Sequence, residues 1–339
     1  WAMSGQSPES GRIPYGGLVA ALAGLALVLC LVSMAVGYVP FDVVAAADDW
    51  LAGRDTLPAL VFAELRVPRA VLGLLVGFSL GLTGAAMQGW LRNPLAEPGI
   101  VGVSSAAALG AVAAFYSGLS ATLALALPLG GMAGAAVAAL LLTVMAARGA
   151  GTTTLIIGGI AVNSLAGALT ALALNLAPNP YAALEIVFWL MGSLADRGGD
   201  QVMLVLPPML IGWALILSGA RALDALTLGE DTARSLGFDL TALRGRLIAG
   251  AALAVGSAVS VTGAVGFVGL VAPHLMRPLV GAHPGRLLPI SGLAGAVLIL
   301  AADIAVRLLP TRPELKLGVV TALVGAPFLI LLIGRLQRE

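Results

Sequence analysis

Residues 66–90 read RVPRAVLGLLVGFSLGLTGAAMQGW, and this stretch decides the fold. After Arg69 it is apolar apart from a few hydroxyl and amide groups. A hydrocarbon layer about 30 Å thick needs ~20 apolar residues in one helix, so the stretch predicts a membrane-spanning helix. Gly73, Gly77 and Gly81 recur every four residues on one face, which predicts a close crossing with a second helix. The alternative is that glycine is simply common in this chain.

The whole chain has the same apolar character. Of its 339 residues, 59% are hydrophobic and 10% are charged, whereas a soluble domain carries roughly 25% charged residues. This composition excludes a water-soluble globule and predicts that membrane lipid surrounds the chain. The net charge of +1 gives no reason to expect a nucleic-acid partner. Cys30 is the only cysteine, so neither an internal disulfide nor a cysteine-rich metal site can form.

Apolar stretches of spanning length recur along the sequence, and we predict an all-α polytopic membrane protein with ten transmembrane helices. The predicted spans are residues 16–37, 67–90, 100–117, 122–147, 154–175, 202–220, 247–265, 267–280, 287–309 and 317–334. The eighth span is too short to cross alone and contains two prolines, which predicts a broken helix buried among its neighbours. Residues 181–194 predict an additional short helix. The spans form a single domain at residues 16–339, preceded by a tail at residues 1–15 with an expression remnant before Met3.

The distribution of Lys and Arg predicts the orientation. Ten crossings put both termini on one side, and with the termini inside, the inner segments carry eleven of the 18 Lys and Arg residues. The positive-inside rule therefore places both termini, including the tail, in the cytoplasm. We expect the membrane to be a bacterial inner membrane. Arg66, Arg69 and Arg307 are exceptions, because they cluster near the outer ends of two spans.

Catalytic motifs are absent from the sequence, so we do not expect the chain to be an enzyme. Lys316 is the only lysine, and neither Ser nor Thr follows it, so no phosphate-binding Walker A loop can form. If ATP drives this protein, ATP and Mg²⁺ bind another polypeptide. His274 and His283 lack nearby acidic partners, so we expect no metal site and no resident cofactor. Acidic residues within the spans are limited to Asp303 and Glu185, which argues against an ion-coupled carrier.

Six further motifs follow RVPR (66–69) along the chain. They are QGWLRNPLAEPG (88–99), FWLMGSL (188–194), LGEDTARSLG (228–237), GFVGLVAPH (266–274), ADIAVR (302–307) and ELKLGVVTALVGAPF (314–328). Together and in this order they resemble the FecCD family of ABC importer permeases, over about residues 20–334. This family includes vitamin B12, haem and ferric-siderophore systems. The sequence departs from the family pattern at Lys316, where proline is more common.

The resemblance implies a type II importer and its partners. Such an importer contains two permease copies, two cytoplasmic ABC ATPases and a periplasmic binding protein that delivers the ligand. Residues 226–240 are then expected to form cytoplasmic coupling helices against the ATPase. The coupling residues expected there are Gly229, Glu230, Arg234, Leu236 and Gly237. Arg66, Arg69 and Arg307 are expected to dock acidic residues of the binding protein, because guanidinium matches carboxylate in a bidentate way.

Simpler interpretations of these charges remain open. Residues 226–240 contain Glu230 and Arg234 at i,i+4, a spacing that also suits a solvated loop helix. Asp303 and Arg307 have the same spacing, so Arg307 could form a local ion pair while the other outer arginines anchor helix ends.

The passage through the protein is predicted from polar, glycine and proline positions. The candidate residues are Asn163, Ser164, Gly263, Gly266 and Pro273. Interhelical hydrogen bonding is an equally good explanation of the polar positions.

The predicted spans contain no cage for a bare metal ion, so a bulky chelate fits better as the ligand. The candidates are a ferric siderophore, haem and a corrinoid, and the iron chelates are preferred because the family mostly carries them. The alternative function is an ion-coupled secondary transporter; an intramembrane enzyme is disfavoured by the missing catalytic set.

Overall fold

The computed structural model describes residues 14–37, 40–281, 283–311 and 313–336, and within these ranges the regular elements are helices joined by turns, without strands. Residues 1–13 of the predicted tail lie outside the described residues. A helix that continues through a π-helical turn is counted as one. The α-helices are α1 (Tyr15–Ala35), α2 (Val43–Leu51), α3 (Leu57–Leu91), α4 (Val103–Tyr116), α5 (Ala126–Ala147), α6 (Thr152–Asn175), α7 (Pro180–Leu190), α8 (Gly199–Ser218), α9 (Ala220–Leu226), α10 (Glu230–Ser235), α11 (Leu240–Thr262), α12 (Val268–Met276), α13 (Pro284–Leu308) and α14 (Leu317–Leu336).

Each predicted span overlaps one of these helices. Among the described residues, seven helices are long and apolar enough to cross a membrane: α1, α3, α5, α6, α8, α11 and α13. The apolar helices α4 and α7 are shorter, as is α14 over Leu317–Leu331. α12 has nine residues with Pro273 inside, which agrees with the broken helix predicted at 267–280. The chain is therefore a multi-pass membrane protein, while the count of ten crossings stays a prediction.

Two of the helix starts that differ from the sequence prediction are explained by a capping carboxylate. α11 begins at Leu240 rather than at residue 247, because Asp239 accepts hydrogen bonds from the backbone N–H groups that follow it, at 2.9 and 3.0 Å. No prediction covers α2, whose first N–H groups donate to the carboxylate of Asp42 at 3.0 and 3.1 Å. Such caps satisfy N–H groups that have no partner inside the helix, and hydropathy alone does not reveal them.

α3 lies at the centre of the described bundle and packs against α1, α8, α12 and α13. In the most apolar 18-residue stretch of α3, 83% of the residues are buried, compared with 17% in the corresponding stretch of α6. Gly77 faces Gly295 of α13, and Gly84 faces Gly269 of α12. A Cβ atom on Gly77 or Gly84 would overlap the facing carbonyl oxygen. The structure thus shows the close helix crossing that the glycine spacing at 73–81 predicts.

The two ends of α3 lie in different charged surroundings. Arg69 pairs with Asp303 at the first end, which we call the Arg69 end. At the other end, Gly89 packs against the side chain of Leu223 in α9. We call this the Glu230 end, because α10, which begins with Glu230, follows α9 directly. The predicted coupling segment at 226–240 therefore lies at the end of the bundle opposite to the Arg69 end.

Candidate functional site: a central cavity and two charged helix ends

A cavity of about 360 Å³ lies beside the segment that joins α11 to α12. α3, α6 and α11 contribute apolar side chains to its wall, and α4 contributes two serines. The polar side chains in the wall are Glu97, Ser104, Ser105 and Asn163. The Ser105 hydroxyl donates a hydrogen bond to Oδ1 of Asn163, which connects α4 to α6. Such a wall presents a few hydrogen-bonding groups on an apolar surface, as expected of a pocket that admits a partly polar ligand.

The NPLAEPG motif brings Glu97 to this wall. α3 ends at Leu91, and Arg92 directly after it has a left-handed backbone (φ 48°). Asn93 then accepts a hydrogen bond from the N–H of Leu95 at 2.9 Å. This side-chain turn reverses the chain. The short 3₁₀ helix Pro98–Val101 then packs into the bundle, with Pro98 against Gly269.

A second cavity, of about 190 Å³, lies on the other side of a backbone wall. Residues 189–193 pack there against residues 262–264. A side chain on Gly192 would overlap the carbonyl oxygen of Ala264, and one on Gly263 would overlap that of Trp189. Ala264 lines the central cavity, whereas Trp189 lines the second one. The charged side chains of the second cavity are Glu185, Asp196, Arg197 and Lys316.

The five predicted pathway residues are distributed unevenly around these cavities. Asn163 and Gly266 line the central cavity. Gly263 is part of the backbone wall between the cavities. Pro273 is buried within α12, and Ser164 is exposed on α6 and is not among the residues that line the central cavity.

Glu97, Ser104 and Ser105 complete the polar wall, and the sequence prediction missed all three. Glu97 stands in a quoted motif at the end of a span, and an ionisable group near membrane depth is itself a signal of function. Ser105 carries no such signal, because serine is frequent where transmembrane helices pack closely.

At the Arg69 end, four charged side chains form one cluster. Nη2 of Arg69 lies 2.8 Å from Asp303, and it also pairs with Glu314. Nη2 of Arg307 lies 2.8 Å from the second oxygen of Asp303, which confirms the predicted i,i+4 pair. The Asp303 and Arg307 side chains are only 2% and 3% exposed. Charges this deeply buried need partners of opposite sign, and each of them has one.

Arg66 and Arg307 also hold the end of α1. Arg307 donates hydrogen bonds to the carbonyl oxygens of Ser33 and Val36, both at 2.7 Å. Arg66 donates to the carbonyl oxygen of Ala35 at 2.9 Å. The last carbonyl groups of a helix lack partners inside that helix, so these arginines satisfy them. This geometry agrees with the anchoring interpretation of the outer arginines; docking by Arg66, Arg69 and Arg307 stays a prediction.

At the Glu230 end, Glu230 is the centre of a second charged cluster. It accepts a hydrogen bond from Arg234 at 3.1 Å, which confirms that these two residues pair at i,i+4. Nη2 of Arg244 lies 3.0 Å from both of its carboxylate oxygens, and the Thr152 hydroxyl donates at 3.2 Å. Partial burial raises the pKa of Glu230, but the charge and hydrogen bonds of Arg244, together with the hydrogen bond from Thr152 and the charge of Arg234, more than offset this, so its pKa lies below the ordinary value.

The remaining predicted coupling residues flank α10. Gly229 and Gly237 have positive φ angles of 103° and 87°, and nothing lies within 4 Å of a Cβ placed on either. Leu236 is 59% exposed. An exposed apolar side chain next to open glycines leaves this surface accessible to another protein.

Within the part of the chain that the structure describes, no group of three or more His, Cys, Asp or Glu residues could hold a metal ion. His274 instead packs edge-on against Phe328, with the ring centroids 5.5 Å apart.

Comparisons with known proteins agree with the motif order. The model of the FecCD transport family matches residues 25–335. The chain is 40% identical over 277 residues to the cobalamin import system permease protein BtuC of Halobacterium salinarum, covering 81% of this chain and 73% of that protein. It is 39% identical over 299 residues to the vitamin B12 import system permease protein BtuC of Salmonella typhimurium, covering 86% and 90%. It is 38% identical over 293 residues to YvrB of Bacillus subtilis, an uncharacterized ABC transporter permease, covering 85% and 82%.

A solved structure has the same arrangement of helices. An inward-facing metal-chelate type ABC transporter superimposes with a TM-score of 0.81 at 30% identity, covering 94% of this chain and 99% of that chain. The family match runs from α1 into α14 and includes both charged clusters and the central cavity. The chain belongs to the FecCD transport family.

Proposed function

We propose that this chain is the membrane-spanning subunit of an ATP-binding-cassette importer that moves a bulky metal chelate across the bacterial inner membrane by alternating access. The central cavity carries this proposal. It lies among membrane-length helices, and packed backbone separates it from the second cavity. That second cavity lies toward the Arg69 end, since Lys316 in its wall is two residues from Glu314. A chamber of this kind, closed toward one end, is what alternating access requires.

The proposal includes the topology and the partners expected of the family. The chain crosses the membrane ten times with both termini in the cytoplasm, and it assembles with a second copy of itself and two ABC ATPases. The Glu230 end is then cytoplasmic, and α10 with its flanking glycines contacts the ATPase, which binds ATP and Mg²⁺. The exposed Leu236 and the open glycines on either side of α10 support this assignment.

We place the docking site of a periplasmic binding protein at the Arg69 end. Arg66, Arg69 and Arg307 gather there, and each guanidinium has five N–H donors. Their present partners are carboxylates and carbonyl groups of this chain. An acidic residue of the binding protein therefore has to add to these partners or replace one of them.

For the ligand, a corrinoid is our first choice. Two of the relatives are named as cobalamin or vitamin B12 permeases, whereas the solved structure is named as a metal-chelate transporter. Because of these names we prefer a corrinoid to the iron chelates that the family resemblance favours. Ferric siderophores and haem remain the second choice because of the metal-chelate relative.

Reconstitution into liposomes with the cognate ATPase and binding protein tests the function. We expect ATP-dependent uptake of cyanocobalamin, with weaker or no uptake of a ferric siderophore or haem. ATP-dependent uptake of an iron chelate, without uptake of cyanocobalamin, would support the importer function and show that the ligand is an iron chelate. Uptake driven by an ion gradient in liposomes without ATPase would instead establish the ion-coupled alternative.

A further inference from the structure

Arg244 occupies an unusual position at the Glu230 end. It lies in the first turns of α11, and its side chain is only 9% exposed. Its guanidinium contacts both carboxylate oxygens of Glu230 at 3.0 Å and the Thr152 hydroxyl at 3.2 Å. One buried cation thus bridges α10, α11 and α6.

Thr152 makes this bridge mechanically relevant, because it is the first residue of α6. Its hydroxyl also donates to Glu230 at 3.2 Å, so the start of α6 bonds α10 directly as well as through Arg244. Asn163, in the wall of the central cavity, lies eleven residues further along the same helix, about three turns away. A displacement of α10 can therefore reach the cavity wall through one rigid helix.

The contact of Thr152 with Arg244 and Glu230 is important for the position of α6 because α6 has little lateral packing. Only 17% of the most apolar window of α6 is buried within the chain, compared with 83% for α3. Within the chain α6 packs sideways against α4, α5 and the 3₁₀ helix Pro98–Val101. With so little of its surface buried, α6 depends more on the contacts at its ends than the central helix α3 does. The far end of α6 leads into α7 and the backbone wall.

We propose that Arg244 is a positioning residue that ties the ATPase-contacting helix α10 to the start of α6, so that movement of α10 shifts the wall of the central cavity. The inference rests on the proposed function, because it takes α10 as the contact with the ATPase. It assigns a role to Arg244 and Thr152, neither of which belongs to the predicted coupling residues.

The test compares Arg244→Gln with Arg246→Gln in the full complex with ATPase and binding protein. Arg246 lies on the same helix, but among the described residues its side chain hydrogen-bonds Ser218 and the carbonyl oxygen of Ala242 and no others. The readout is the amount of ligand transported per ATP hydrolysed. We expect Arg244→Gln to lower this ratio roughly fivefold or more, the lower range of measured coupling between sites, and Arg246→Gln to leave it unchanged.

Two further variants separate positioning from stability. Thr152→Val removes the hydroxyl that joins α6 while keeping the ion pair, and we expect it to lower the ratio too. The charge swap Glu230→Arg with Arg244→Glu should recover part of the ratio lost in Arg244→Gln. If Arg244→Gln prevents assembly of the complex, the amount of ligand transported per ATP hydrolysed by Thr152→Val tests the proposal instead.

An unchanged ratio in Thr152→Val, or reduced thermal stability of Arg244→Gln at an unchanged ratio, overturns the proposal and leaves the importer function intact. Absence of ATP-driven transport by the wild-type complex instead overturns the proposed function itself.

Discussion

Gly77 and Gly295 lie backbone against backbone where α3 crosses α13, and each occupies the space that a side chain on the other would need. A methyl group on Gly77 would overlap the carbonyl oxygen of Gly295, and a methyl group on Gly295 would overlap that of Gly77. In lipid, where the hydrophobic effect does not drive helices together, this close approach supplies the packing that holds them.

The first prediction concerns this crossing. Gly77→Ala forces the two backbones apart and should lower the free energy of unfolding by about 1–3 kcal/mol or more, as overpacking does. The thermal midpoint of the purified chain in detergent measures the effect. Gly24→Ala is the control, since nothing lies within 4 Å of a Cβ atom there. Equal midpoints for the two variants would contradict the backbone contact.

The second prediction concerns the buried pair of Arg307 and Asp303. Arg307→Gln leaves Asp303 with Arg69 alone and removes one of the two arginine charges that hold the end of α1. Breaking a buried ion pair costs about 3–5 kcal/mol, so we expect a large fall in thermal stability. Arg54→Gln is the matched control, because the Arg54 side chain is 60% exposed and, within the described part of the chain, forms its ion pair with Asp49 alone, at the surface.

Binding-protein affinity, measured on the same variants and on charge reversal at Arg66, tests docking. If the arginines dock the binding protein, reversal should weaken binding and make the residual binding less dependent on salt, while the ATPase stays bound. Unchanged affinity at low salt would leave these arginines with the anchoring role alone.

The third prediction concerns Gly237. Its φ of 87° is strained for any L-residue by about 1–2 kcal/mol, and most strained for a β-branched one. Gly237→Val should therefore distort the turn after α10 and uncouple ATP hydrolysis from transport, or prevent ATPase binding. Gly245→Val is the control, because Gly245 has equally open surroundings but lies within α11. Normal coupling in Gly237→Val would show that this turn is only a solvated loop.

The fourth prediction concerns the central cavity. Asn163→Cys should react with a water-soluble maleimide at a rate that changes when nucleotide or binding protein is added. The single native cysteine, Cys30, is buried and gives a low background. Ala166→Cys is the comparison, since Ala166 is only 4% exposed on the same helix. A labelling rate of Asn163→Cys that does not change with nucleotide or binding protein would show that α6 is not part of a moving cavity wall.

The fifth prediction concerns ATP. The purified chain should hydrolyse no ATP, because its only lysine, Lys316, does not belong to a phosphate-binding loop. Addition of the ATPase subunit should restore hydrolysis. Turnover by the chain alone, at a purity that excludes contaminating ATPase, would contradict this expectation.

Much of the helical layout could be predicted from the sequence, because hydropathy over spanning length is a local property. The i,i+4 pairs Glu230–Arg234 and Asp303–Arg307 were predictable for the same reason. The wider networks were not. Arg244 reaches Glu230 only because a turn brings α11 back against α10, and Arg69 meets Asp303 across 234 residues. Contacts that tertiary packing creates leave no periodic signal in the sequence.

The backbone wall between the two cavities affects how easily water and protons could leak from one cavity to the other. Side chains that close a pore can rotate within picoseconds to nanoseconds, and each rotation can admit water or a proton. Here the contacts are between glycine residues and carbonyl oxygens of residues 189–193 and 262–264, so there is no rotamer to flip at these points. Opening requires whole segments to separate, which takes microseconds to milliseconds. In the proposed importer, this wall would keep a passage wide enough for a chelate closed to protons between transport cycles, so that the membrane potential is preserved.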